Sequence, residues 1–509
     1  MDYIKEKAPP VREDRLKACN AFGGSSCSLV DKSKKGCLSG IKRRFSQTQG
    51  CQLNLSLAIL NTIRDSVVIV HGPVGCGGSN LAQAGVNKGF KQLRDSGAGG
   101  LIWVNTNLGE NEVIHGGEGN LREAILYAEK EFRPRAIIIV NSCVPAIIGD
   151  DIDSVVEEAQ QEVTAKIVPV HCEGFKTKIM ASAYDAVYHG ILRNLLEHEE
   201  DCIREEQDEL AILQEKYRLS RTVNILNVSS MSRIDEYELV RLLKPLDINL
   251  NILPCYAHPD EFYKATEAAL NVSICATHDD YFVEHLKAKY NIPFILRTIP
   301  IGVKYTNRWI LDIAKVFGVE EEAQRYIDSE VKQLEDALVP LREIFKGKRV
   351  LIGGGEIRVI ANAELLTYLG LEVIGLRTYH YDQFGDEMVD EQQFIQQIPF
   401  NVATGQPFEL ANLIANLKPD LYVGHTGTNV WAAKQGIPVI PLFHQSQLFL
   451  GYNGVYEFAR RLARILRNPS FNRSLGNNVS LPYHEEWYKQ AAFSYIDEAE
   501  LPVEQQGNI

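Results

Sequence analysis

With 509 residues, 45% of them hydrophobic and 23% charged, the chain has a globular composition and is too long for one hydrophobic core. Its formal net charge of −13 argues against nucleic-acid binding, which rests on an excess of Lys and Arg facing phosphate. No apolar run approaches the ~20 residues that cross a bilayer, and Met1-Asp2-Tyr3-Ile4-Lys5 opens no apolar signal region, so a cytoplasmic location is expected.

Residues 1–45 are polar, rich in Gly and Ser, and basic in patches (Lys32, Lys34, Lys35, Lys42, Arg43, Arg44), and they read as an arm or loop. From there, short β-branched runs alternate with longer amphipathic stretches, the signature of βαβ units and a mainly parallel sheet. A first α/β unit over 46–218 has strand candidates at Ser66–His71, Gly100–Asn105, Ala136–Asn141 and Lys166–Val170, with helices at Leu121–Glu131 and Ser154–Glu162. A charged helix near Glu199–Tyr217 leads to a second unit, 219–346, with strands at Thr222–Val228, Ile248–Ile252, Asn271–Cys275 and Phe294–Arg297. A charged helix at Glu320–Phe345 precedes the third unit, 347–450, with strands at Arg349–Gly353, Glu372–Leu376, Leu421–Gly424 and Val439–Leu442, and 451–509 reads as a helical C-terminal segment. The expected fold is therefore α/β: three Rossmann-like, doubly wound parallel-sheet domains in series. In such sheets ligands sit beyond the carboxyl ends of the strands.

The ten cysteines (Cys19, Cys27, Cys37, Cys51, Cys76, Cys143, Cys172, Cys202, Cys255 and Cys275) form no Cys-x-x-Cys pair, which leaves a structural zinc site almost without support. A reducing compartment keeps them as thiols, so any thiolates that bind metal must converge from distant segments. Cys51 follows Gly50. Cys76 lies in His71-Gly72-Pro73-Val74-Gly75-Cys76-Gly77, directly after a strong strand, and Cys143 follows another strand in Asn141-Ser142-Cys143-Val144-Pro145. Thiolates in strand-end loops, with glycines that admit a large ligand, suit half of an iron–sulfur cluster. The plain alternative for each is a small buried hydrophobe. The Gly72–Gly77 turn lacks the Lys-Ser or Lys-Thr of a phosphate loop and Gly353-Gly354-Gly355 lacks dinucleotide spacing, so no nucleotide is expected on this chain. Cys275 and His444 each end a strand in different domains, which suits a cluster held at its two ends in an interdomain cleft. The alternatives are a packing thiol and a hydrogen-bonded buried histidine.

These residues resemble the nitrogenase component-1 superfamily from about Gly50 to Pro469. Gly50-Cys51, the His71–Gly77 run, and Cys143 with Ile147-Ile148-Gly149-Asp150-Asp151-Ile152-Asp153 look like the three bridging-cluster cysteine segments. Cys275 with Glu284–Pro293 and His444 before Gly451-Tyr452-Asn453-Gly454 look like the two cofactor-holding segments. The resemblance implies a catalytic, α-type subunit paired with a homologous β-type subunit as an α2β2 heterotetramer. It implies a bridging [8Fe-7S] P-cluster-type centre on Cys51, Cys76 and Cys143. It also implies a large carbide-containing iron–sulfur cofactor, of the NifB-cofactor or FeMo-cofactor kind, between Cys275 and His444, with electrons from an ATP-hydrolysing [4Fe-4S] reductase protein.

Several positions depart from the nitrogen-fixing pattern. Met180 and Tyr184 stand where a Gln and a His are expected after Cys172-Glu173-Gly174-Phe175. Thr277 replaces an Arg, Glu356 aligns with another across a local gap, and no Lys matches near Gly427-Thr428. Losing cations weakens a site for a polyanionic organic acid. The pattern is most similar to the methylthio-alkane reductase branch, which splits C–S bonds of small methyl thioethers. On that resemblance Met180 makes the pocket less polar, Tyr184 donates a proton, and Cys275 and His444 hold the cofactor. The competing expectations are a cofactor-assembly scaffold, a dinitrogen-reducing α subunit, and a metal-free Rossmann-like binding protein. Cys19, Cys27 and Cys37 match no part of the family pattern.

Overall fold

Ser25 accepts a hydrogen bond from the Ser28 N–H and so starts a helix inside the N-terminal segment. The computed structural model describes residues 3–47, 50–78, 102–197, 209–296 and 299–497. The expected strand residues Gly100, Leu101 and Arg297, the helix residues 199–208 with Cys202, and Thr48-Gln49 before Cys51 lie outside the described residues.

The N-terminal segment is a packed part of the fold, which corrects its reading as an arm or loop. It forms α1 (Arg12–Leu16), β1 (Ala21–Ser25) and α2 (Ser26–Lys34). Strand β1 lies antiparallel on β12 (Pro399–Ala403), with Phe22 opposite Val402. Arg12 is fully buried and donates to Asp185, Asp280 and Asp382 at 2.8, 2.9 and 3.4 Å. Arg15 adds bonds to Asp185 and Asp280 at 2.7 and 2.5 Å. Two guanidinium forks thus tie together carboxylates from all three α/β units. A charge taken out of water survives only with such partners.

Those units are the parallel sheets expected from the sequence. The first, in the order β3-β2-β4-β5, comprises β2 (Ser66–His71), β3 (Trp103–Asn105), β4 (Ala136–Asn141) and β5 (Lys166–His171). All its pairings are parallel, and His71 stands opposite Asn141. Strands β2 and β4 are buried along their whole length, as near-continuous Val/Ile runs require when helices cover both faces. The second sheet repeats this pattern as β7-β6-β8-β9, with β6 (Thr222–Asn227), β7 (Asn249–Pro254), β8 (Leu270–Ser273) and β9 (Phe294–Ile295). The third runs β1-β12-β11-β10-β13-β14, adding β10 (Arg349–Gly354), β11 (Glu372–Thr378), β13 (Leu421–Gly424) and β14 (Val439–Pro441).

In each sheet the first parallel strand is central and successive connections leave it in opposite directions, which opens a crevice at its carboxyl end. The crevices lie beyond β2 and β4, beyond β6 and β8, and beyond β10 and β13. Helices that begin there carry the residues of interest: α3 (Gln52–Leu60) packs beside the first crevice, α4 (Cys143–Ile148) follows β4, and α5 (Ser182–Asn194) covers β5. Helix α6 (Ala276–Tyr290) follows β8, α7 (Glu320–Phe345) crosses to the third unit, α8 (Glu356–Tyr368) follows β10, and α9 (Gly451–Arg467) packs against α7. Among the described residues, no helix is long and apolar enough to cross a membrane.

Candidate metallocluster sites

The cysteines singled out by sequence occupy one kind of place. Cys51 is the N-cap of α3, Cys143 is the first residue of α4, and Cys275 is the N-cap of α6. Cys76 lies in the helical turn just after β2. Helix N-termini present unpaired N–H groups and a partial positive charge, which favours thiolates and anionic ligands.

Cys51, Cys76 and Cys143 gather at the mouth of the first crevice. A β-carbon on Gly174 would lie 2.5 Å from Cys51 Sγ and 3.6 Å from Cys143 Sγ, so both sulfurs close on that glycine. Cys76 is within electrostatic reach of Cys143 and Cys51. Partial burial raises the Cys51 and Cys76 thiols, and the neighbouring Ser142 hydroxyl works the other way on Cys76. Asp150 braces the loop after β4, accepting from the Gly117 N–H at 3.0 Å and facing His71 Nε2 at 3.1 Å. The surface around the three cysteines is apolar and open: Val74 and Ile147 are each 67% exposed and Phe175 is 55% exposed. Val113 and Ile114, on the helix Glu110–His115 that packs on α4, extend it. A patch of this kind, rimmed by polar residues, marks an interaction surface.

The second site is deep. Cys275 is 6% exposed, and burial pushes its thiol up to about 12. Asp279 and Arg358 act electrostatically on it in opposite directions, and the Tyr184 ring lies 4.3 Å from that of His278. Burial raises the Tyr184 hydroxyl, and the nearby Cys275 raises it further. Arg358 donates to the Ser230 carbonyl at 2.7 Å and covers the Phe443 ring at 5.2 Å. Its Nη1 and the Nδ1 of His278 are buried without a hydrogen-bond partner. Buried donors left unpaired await a ligand. A thiolate, a helix N-terminus and two unsatisfied cationic or polar donors fit a sulfide-rich anionic group.

His444 sits beyond the end of β14 on an exposed turn, where its Nδ1 faces the Ser446 hydroxyl at 2.8 Å and N–H at 3.2 Å. Its chain neighbour Phe443 lies under the Arg358 guanidinium. Met180 lays its sulfur over Gly50, close enough that a β-carbon there would be 2.7 Å away, with Thr404 on the other side. It lies between the cysteine mouth and the third unit. Among the other described cysteines, Cys19, Cys172 and Cys255 are buried. Cys172 is buried with its thiol toward the Asn141 carbonyl, Cys19 is buried beside Tyr381, Cys27 touches Ser25 and Gln397, and Cys37 is exposed.

Sequence reading passed over Arg358 and His278. Arg358 restores a cation near the position where Glu356 aligned with one, two residues further into α8. The rule that ligands meet strand carboxyl ends at a crevice points to both positions, since each stands just past such an end.

The chain matches the family model for nitrogenase component 1 type oxidoreductase over residues 51–467. It is similar to the nitrogenase iron-molybdenum cofactor biosynthesis protein NifE of Rippkaea orientalis, with 26% identity over 426 residues covering 82% of this chain and 85% of that protein. It is also similar to the nitrogenase molybdenum-iron protein alpha chain of Methanothermobacter marburgensis, with 23% identity over 480 residues covering 92% and 93%. The solved structure of nitrogenase Cp1 at pH 5 shares its fold, with a TM-score of 0.67 at 20% identity covering 87% of this chain and 92% of that one. Parallel sheets, cysteines at helix starts and a match over most of the length lead to one assignment: this chain belongs to the nitrogenase component 1 type oxidoreductase family.

Proposed function

We propose that this chain is the catalytic subunit of a nitrogenase-like reductase that cleaves small methyl thioethers such as methylthioethanol or dimethyl sulfide. The reaction takes two electrons and two protons: the C–S bond breaks, sulfur leaves as methanethiol, and the carbon fragment leaves as methane from dimethyl sulfide or as ethylene plus water from methylthioethanol. The observation that carries this reading is Tyr184, a proton-bearing side chain whose ring lies 4.3 Å from that of His278, in the first turn of the helix that Cys275 caps.

Cys275, with His444, would hold a large iron–sulfur cofactor, which supplies reducing electrons and soft metal sites for a thioether sulfur. Around it, Arg358 and the helix start at Cys275 offset negative charge, and Tyr184 delivers a proton to the leaving group. The half-buried Cys51, Cys76 and Cys143 would contribute this chain's half of an [8Fe-7S]-type bridging centre. A β-type partner would cover Val74, Ile147 and Phe175 and complete an α2β2 assembly, and an ATP-hydrolysing [4Fe-4S] protein would supply electrons.

Anaerobic purification with the β-type partner, metal analysis and turnover with the reductase test this. Methanethiol and hydrocarbon without ammonia are expected. Ammonia from dinitrogen would overturn the substrate assignment. A second reading, a cofactor-assembly scaffold, is supported by the cofactor-biosynthesis proteins among the relatives and by the exposed His444, since a scaffold must release its cargo. A cluster that transfers to another protein with no thioether turnover would establish it.

A further inference from the structure

Three side chains beside the cofactor cleft are left over from the function just described. Glu356, His380 and Asp382 are buried, and one ligand atom from each lies within 4.8 Å of the other two. Among the described residues this is the one group of three such side chains gathered so closely. Glu356 opens α8 after β10, and His380 and Asp382 follow β11, so the group lies at the carboxyl ends of two adjacent parallel strands.

Two of its atoms have nothing to bind. His380 Nε2 and Glu356 Oε1 are buried without a hydrogen-bond partner. The other Glu356 oxygen accepts from the Asp382 N–H at 3.0 Å, and Asp382 Oδ1 accepts from the Phe384 N–H at 3.0 Å, which fixes both carboxylates in place. Gly385 makes the room: a β-carbon there would meet the Glu356 oxygen at 2.3 Å.

Charge points the same way. Arg12 and Arg15 each bond both Asp185 and Asp280, so those two guanidiniums are matched by two carboxylates. Among the described residues, Asp382 has ion-pair contacts to Arg12 at 3.4 Å and to the His380 ring at 4.0 Å, and no Lys or Arg bonds Glu356. A buried pair of carboxylates with less than one cation between them holds either a proton or a bound metal ion. A triangle with sides no longer than 4.8 Å has a centre about 2.8 Å from each corner, so contraction by less than an ångström reaches the ~2.0–2.2 Å of bound divalent metal.

We propose that Glu356, His380 and Asp382 form a mononuclear site for a divalent first-row metal ion, distinct from the clusters held by cysteine. One imidazole and two carboxylates suit Mn2+, Fe2+ or Zn2+ and are too hard for the soft ions that thiolates select. The site would brace β10 and β11 against α1 through Asp382 and Arg12, on the side of the cleft facing Cys275. It does not depend on which small molecule is turned over.

Mn2+ is the probe, since thiolates compete poorly for it. Titration of the anaerobically purified full chain, followed by electron paramagnetic resonance, is expected to show one saturable Mn2+ per chain. Pulsed spectra should show coupling to a single imidazole nitrogen. Glu356→Gln and His380→Ala should each weaken binding at least tenfold, Cys275→Ala should leave it unchanged, and Mn2+ should raise the melting temperature of the wild type and Cys275→Ala by more than that of the two site variants. His380→Asn, closer in size, covers the case in which the alanine variant does not fold. No saturable binding by the wild type, no nitrogen coupling, or affinity retained in both Glu356→Gln and a folded His380 variant would overturn the site.

Discussion

The two cysteine sites differ in what each one lacks. Cys51, Cys76 and Cys143 stand half-buried at an open mouth ringed by exposed Val74, Ile147 and Phe175, so what is missing there is another protein surface. Cys275 is sunk under α6 among Arg358, His278 and Tyr184, and what is missing there is a ligand for buried donors. The same local device, a cysteine at a helix start, thus occurs at two depths. On the proposed function, that depth would decide whether the group it holds is shared between chains or enclosed by one.

The sharpest way to break this contrast is to remove one site and assay the other. Cys275→Ala should abolish turnover and the signal of the enclosed cofactor while the bridging centre keeps its iron. Cys143→Ala should do the reverse to the bridging iron. Simultaneous loss of both in either variant, by metal analysis and electron paramagnetic resonance, would show that the sites are not separable.

Next in size is the tie between the three units. Arg12→Ala leaves Asp185, Asp280 and Asp382 buried with a single remaining guanidinium, and should cost about 3–5 kcal/mol in chemical denaturation. Arg12→Lys should recover only part, because an ammonium cannot fork between carboxylates. An unchanged denaturation midpoint would remove the tie as a source of stability.

Surface changes should separate the regions again. Ile147→Asp or Phe175→Asp should weaken association with the β-type partner at least tenfold, about 1.4 kcal/mol, and leave the melting temperature of the isolated chain unaltered. Pull-down against the partner, with a melting curve, checks both halves.

A pH dependence on the enclosed side is a further test. Burial depresses His189 to about 4 from the ordinary 6.5, with Nδ1 accepting from the Tyr281 hydroxyl and Nε2 donating to the Glu6 carbonyl. The unfolded chain takes up the proton near 6.5 while the folded one does not. Its contribution is thus complete above that value and is lost as pH falls toward 4, by at most about 1.4 kcal/mol per pH unit. His189→Gln should flatten that part of the decline between pH 7 and pH 5 in thermal melting. An identical decline would exclude His189 as its cause.

Much of this architecture could be read from the chain alone. Continuous Val/Ile runs such as Val67–Val70 and Ile137–Val140 have one physical solution, a strand covered on both faces, and the rule of strand carboxyl ends then gathers Cys76 and Cys143. Strand β12 escaped because Pro399 and Asn401 break the β-branched pattern, and β1 because Ala21-Phe22-Gly23-Gly24-Ser25 looks like a loop until β12 supplies its edge. The burial of Arg12 was invisible, since its partners lie 173, 268 and 370 residues away. Arg358, His278 and His380 are lone polar residues whose meaning comes only from the neighbours that tertiary folding brings. Met180, four residues before Tyr184, packs its sulfur on Gly50 beside Cys51, a contact that the sequence spacing does not announce.

The Arg12 tie also has a consequence for how the molecule is made. During synthesis the first helix leaves the ribosome long before Asp382 exists, and β1 waits for β12 in the same way. Arg12 and Arg15 can join the first two units through Asp185 and Asp280 as soon as those exist, whereas the third is tied in only when Asp382 and β12 arrive, and closing so long a loop is slow. A chain that stops short of the last unit therefore keeps a clasp between two units and lacks the third leg.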